Sequence, residues 1–92
     1  MASSARRLEK MEVQLERWSA RIERIVAMTE GAGARATIHE HLRNDELRAF
    51  RAIAQARFDE YRTAAAELRA GLHAAVEEAW NDLARVMRTL KG

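Results

Sequence analysis

Three histidines, fourteen acidic side chains and three serines are the groups of this sequence that could do chemistry. His39 and His41 stand two apart, so on a helix they point roughly 200° from each other and cannot share a metal ion. His41 and Asp45 are at i,i+4, a spacing that can hold a divalent cation. A third ligand would have to come from elsewhere, and a solvent-exposed histidine at a helix start is the plainer reading. His73 precedes Glu77 by four, again a single pair and a surface or interface position. The carboxylates Glu9, Glu12 and Glu16, and Glu77, Glu78 and Asp82, cluster at helical spacing. A di-metal bundle site needs a Glu-x-x-His element facing the core, and none occurs. Nucleophilic catalysis needs a hydroxyl or thiol held against a base. Ser3 and Ser4 lie at a fraying end, Ser19 lies in mid-helix, and there is no cysteine. Gly31-Ala32-Gly33 lacks the Lys-Ser/Thr of a phosphate loop and reads as a helix stop. No catalytic residue, cofactor or metal is expected, and the chain is not expected to be an enzyme.

Arginines make the alternative binding chemistry. Arg17, Arg21 and Arg24 share one helix face, and Arg6 and Lys10 continue it upstream. Such a stripe could follow phosphates or rest on anionic lipid. Glu9, Glu16 and Glu23 sit close by in sequence and are expected to dilute the field. Lys and Arg total 16 against 14 Asp and Glu, a net charge of +2 spread evenly along the chain. Nucleic-acid and membrane partners are therefore not expected. Residues 1–10 contain no apolar signal region, and no apolar run approaches the ~20 residues that span a bilayer. A cytoplasmic location follows as the default.

The elements that would carry these groups are helices. Of 92 residues 19 are Ala, none is Pro, and Ala, Glu, Leu and Arg dominate, as in long helices and coiled coils. Leu8, Met11, Leu15, Trp18, Ile22 and Ile25 follow one another at spacings of 3 and 4, a heptad seam that Thr29 extends. This predicts a helix over 4–30, capped by Ser3 or Ser4 and closed at the glycine pair. Thr37-Ile38-His39-Glu40 has the form of a capping box, which restarts the chain after a turn at 31–36. From Ile38 and Leu42 through Leu47, Phe50, Ala54, Phe58 and Tyr61 to Leu90 the apolar stripe is nearly unbroken. One long second helix over 38–90 is expected. Two positions could interrupt it: Asn44-Asp45, as a new cap, and Gly71, as a bend.

One domain, 1–92, is expected: all-α, an antiparallel helical hairpin of a short and a long helix. Its core takes Leu8, Met11, Leu15, Trp18, Ile22 and Ile25 from the first helix, and Phe50, Phe58 and Tyr61 from the second. The first helix can cover the second only to about residue 65. Leu68, Leu72, Val76, Trp80, Leu83, Met87 and Leu90 would then stand in water, and burying each is worth ~1.5–3 kcal/mol. A second copy covering them predicts a coiled-coil or helix-bundle homodimer with these seven residues as its interface. The alternative is a monomer of three helices, broken near Gly71, that acts as a binding module.

Two segments carry a family likeness. Leu15-Glu16-Arg17-Trp18-Ser19-Ala20-Arg21-Ile22-Glu23 and Ala70-Gly71-Leu72-His73-Ala74-Ala75-Val76-Glu77-Glu78-Ala79-Trp80-Asn81-Asp82-Leu83 resemble the end segments of small bacterial coiled-coil domain proteins. Some of those are described as stress-response proteins. The likeness covers both ends of the chain and leaves the middle free. This sequence departs in using Arg where those proteins favour Lys, and in its Gly-Ala-Gly turn. The resemblance implies an all-helical protein with a structural, assembly or protein-interaction role, and it brings no catalytic residues. An unidentified protein partner is compatible with it.

Overall fold

The computed structural model describes residues 2–90, with side chains from residue 5 onward. Three α-helices follow one another: α1 (Ala2–Ala32), α2 (Ile38–Thr63) and α3 (Ala66–Thr89). A single 3₁₀ turn, Gly33–Arg35, lies between α1 and α2. No strand occurs among the described residues. The chain divides into two units, Met1–Ala49 and Phe50–Gly92, and α2 runs through the boundary.

In the first unit, α1 buries Leu15, Ile22, Val26 and Thr29, a stripe at the true helical period of 3.6. Leu8, Met11, Trp18 and Ile25 are half-buried. Thr29 is tolerated inside because its hydroxyl donates to the Ile25 carbonyl at 3.2 Å. The cap expected of Ser3 or Ser4 lies outside the described side chains. Gly31 is still helical, and the turn is made at Gly33, whose φ of 56° is a left-handed conformation that glycine adopts without strain. Thr37 caps α2 as the sequence predicts, its hydroxyl accepting the Glu40 N–H at 3.1 Å. Arg48 reaches Glu30 on α1 at 3.9 Å rather than Asp45 on its own helix.

The expected stripe of α2 is corrected at its start. Leu47, Ala54 and Phe58 are buried, whereas Ile38 and Leu42 are 69% and 58% exposed. The step from Leu42 to Leu47 is five residues, about 140° of rotation, so the two sets occupy different faces. Asn44, which shares the covered side, is only 5% exposed. It does not begin a new helix.

The single helix expected over 38–90 is also corrected. The chain leaves helical geometry at Ala64 and Ala65, the latter with φ −64° and ψ 155°, and α3 begins at Ala66. Gly71 is not the break. It lies inside α3 at negative φ, and a Cβ placed on it would meet nothing within 4 Å. It neither turns the chain nor admits a neighbour.

Candidate functional site

Around the break, aromatic and cationic groups of the second unit contact one another. The Phe58 and Trp80 rings lie 5.7 Å apart between centroids, tilted by 45°. Tyr61 and His73 lie 6.0 Å apart. Moving back along α2 from Tyr61 to Phe58 moves forward along α3 from His73 to Trp80, so α3 runs antiparallel to the last turns of α2. Arg62 covers the Phe58 ring at 5.5 Å, and Arg69 covers Tyr61 at 5.9 Å. Each cation over a ring adds about 0.5–1 kcal/mol at such partly exposed positions.

Arg69 has a second task. Its guanidinium donates to the Arg62 carbonyl at 3.2 Å, across the break. That carbonyl belongs to the last turn of α2, where helix acceptors lack partners and the macrodipole favours a cation. Thr63 donates back to the Asp59 carbonyl at 2.8 Å in the same turn. Arg69 thus clasps the turn from the α3 side. The apolar stripe does not reveal this role, because a charged residue between Leu68 and Ala70 carries no local signal of a long-range cap.

The start of α3 has no comparable support. Ala65 occupies its N-cap and makes no side-chain capping bond. Leu68 and Arg69 N–H groups both reach the Ala65 carbonyl, at 2.9 and 3.1 Å.

His39 and His41 are exposed in the first turns of α2. His73 Nε2 lies 3.5 Å from Glu77 Oε1, both partly open to solvent. No group of three or more His, Asp or Glu that could hold a metal ion occurs among the described residues. Opposite charges at i,i+3 pair at Arg57–Glu60 (2.9 Å), Asp59–Arg62 (3.2 Å) and Asp82–Arg85 (3.3 Å).

Of the seven residues assigned to an interface between copies, Val76, Leu83 and Met87 are buried within this one chain. Leu72, Trp80 and Leu90 are half-buried, and Leu68 is exposed. Among the hairpin-core residues of α2, Phe58 is buried, and Phe50 and Tyr61 are half-buried. For all of these apolar side chains but Leu68, the break therefore removes the premise that they stand in water. No helix among the described residues is long and apolar enough to cross a membrane. Comparison of the chain with protein-family models, curated proteins and solved structures finds no match.

Proposed function

We propose that the chain is a non-enzymatic assembly protein that pairs with a second copy by exchanging α3. One observation carries this reading. The break between α2 and α3 falls in Thr63-Ala64-Ala65-Ala66, with no glycine, no proline and no side-chain cap on α3. Alanine is the best helix former, so the local preference of this segment is to continue the helix. What holds it bent is the aromatic seam and the Arg69 clasp. A second copy offers the same seam: with the hinge straightened, Trp80 would meet Phe58 of the other copy. Such an exchange trades contacts within a chain for identical contacts between chains, and concentration decides the balance.

The straightened α2–α3 helix would have the length the apolar stripe implies, and residues 68–90 would serve as the interface the heptad pattern suggests. The resemblance to bacterial coiled-coil proteins points toward the same assembly role, with a stress-related setting as its extension. A second reading rests on Ile38 and Leu42. Their exposed face in the first unit suits the closed chain acting as a module for another protein's apolar helix.

Light scattering on a sizing column tests the first reading. The expected result is a mass near 10.5 kDa at low concentration, rising toward twice that value as concentration increases. Ala65→Pro should hold the chain at the single mass. The φ of −64° at Ala65 is the value proline prefers, whereas proline inside a continuous helix costs about 3 kcal/mol. A single mass near 10.5 kDa at all concentrations would sink the exchange and leave the second reading.

A further inference from the structure

α1 carries its charges differently from the other two helices. In α2 and α3, opposite charges pair one turn apart, at Arg57–Glu60, Asp59–Arg62 and Asp82–Arg85. In α1 they separate. Arg6, Lys10, Arg17 and Arg24 fall within about 40° of arc around the helix axis. That arc is opposite the buried stripe of Leu15, Ile22 and Val26, and all four cations are exposed. Glu9, Glu12, Glu16, Glu23 and Glu30 fall in a separate arc, centred about 110° away.

Neighbours in sequence are not neighbours on a helix, so the acids that adjoin these cations along the chain do not face them. Lys10, Arg17 and Arg24 have no acid at three or four residues in either direction. None of the four cations makes an ion pair among the described residues. Arg6 and Lys10, and Glu12 and Glu16, are like-charged at i,i+4, an arrangement that weakens an isolated helix. Stability alone does not account for the separation.

The geometry points to a docking ridge for the sugar–phosphate backbone of nucleic acid, bound without sequence preference. From Arg6 to Arg24 the cations run in single file over about 27 Å. Three of the four are arginines, whose planar fork matches phosphate oxygens. A linear polyanion fits a narrow ridge. A plane of anionic lipid would also bring the flanking Glu stripe against negative charge. The ridge also has little to insert into lipid: Val13 and Met28 are its exposed large apolar residues, and Trp18 lies half-buried elsewhere on the helix. An apolar partner helix would need a seam that this face lacks.

Fluorescence anisotropy of a labelled mixed-sequence DNA duplex with the full chain tests this. Four phosphate contacts predict a slope of log affinity on log salt near about −3.6, or about a 150-fold loss between about 50 and about 200 mM salt. Arg17→Glu with Arg24→Glu should abolish binding while circular dichroism shows unchanged helix content. Arg43→Glu with Arg88→Glu makes the same change in net charge at exposed positions off the ridge, and should leave affinity within about twofold of the parent's. Equal loss in both double variants would overturn the ridge in favour of net charge. No binding by the parent chain at low salt would also overturn it. So would tighter binding to vesicles of phosphatidylserine and phosphatidylcholine than to the duplex.

Discussion

Asn44 is a buried residue at the core of the first unit whose side chain lacks a full set of partners. Its Oδ1 is shielded from solvent and accepts no hydrogen bond. A buried acceptor left without a donor loses its hydration and gains nothing in return, about 1–3 kcal/mol. Asn44→Leu, close in volume, should raise stability by about 1–2 kcal/mol in urea denaturation. A loss of stability would mean that the amide is satisfied on its other side. Gly71 presents a second, independent case. It sits inside α3 at negative φ with open space where a side chain would go. Gly71→Ala should stabilise the chain by about 0.5–1 kcal/mol, with a matching rise in thermal midpoint. Neither position declared itself in the sequence. Asn44-Asp45 has the composition of a cap, and burial of an asparagine is a tertiary fact that no spacing rule supplies. Gly71 looks like a bend by type alone, yet a single glycine within a strong helical pattern is simply carried along.

At the scale of the elements, helix 1 and the turn after it were legible because their signals are local. The heptad spacing of Leu8 to Ile25, the glycines and the Thr37 cap all act within a few residues of where they stand. The i,i+3 pairs Arg57–Glu60, Asp59–Arg62 and Asp82–Arg85 are local in the same way, since one helical turn brings their charges together. The break at Ala64 and Ala65 was not legible, because every local preference there opposes it. It follows from Trp80 meeting Phe58 and from Arg69 reaching the Arg62 carbonyl, contacts 22 and seven residues apart along the chain. Supplying the missing cap should therefore favour the closed form. Ala65→Ser places a hydroxyl at the α3 N-cap, worth about 1 kcal/mol, and should raise the thermal midpoint of the closed chain at low concentration. The two faces of α2 make a contrasting test. Leu47→Ala removes a fully buried side chain and should cost about 2–5 kcal/mol. Ile38→Gln with Leu42→Gln, on exposed positions, should change stability by less than about 1 kcal/mol. Comparable losses from the two variants would mean that Ile38 and Leu42 are covered in the isolated chain, which would remove the free face on which the second reading of function rests.

For the molecule as a whole, the proposed exchange would build the aromatic seam of one chain a second time, between copies, from the same residues. Within one chain the hinge must bend against its alanines, and the Arg69 clasp compensates. In the proposed exchange the hinge would relax into helix, and the Arg62 carbonyl would find its partner in the helix backbone instead. Arg69→Ala should consequently weaken the closed chain while leaving the exchanged pair nearly unaffected, shifting the mass distribution toward the pair. The distance across the hinge decides between the two forms most directly. The chain contains no cysteine, so spin labels can be attached cleanly at Gln55→Cys and Asn81→Cys, both exposed. In the closed chain, neighbouring helix axes lie about 8–10 Å apart, and the two labels should report a short separation. In a continuous helix the same positions are about 39 Å apart. With labelled chains diluted into unlabelled ones, the short distance is expected at low concentration. A second population near 39 Å should then grow in step with the doubled mass. A doubled mass accompanied only by the short distance would overturn the exchange, for the copies would then be pairing with the α2–α3 turn intact.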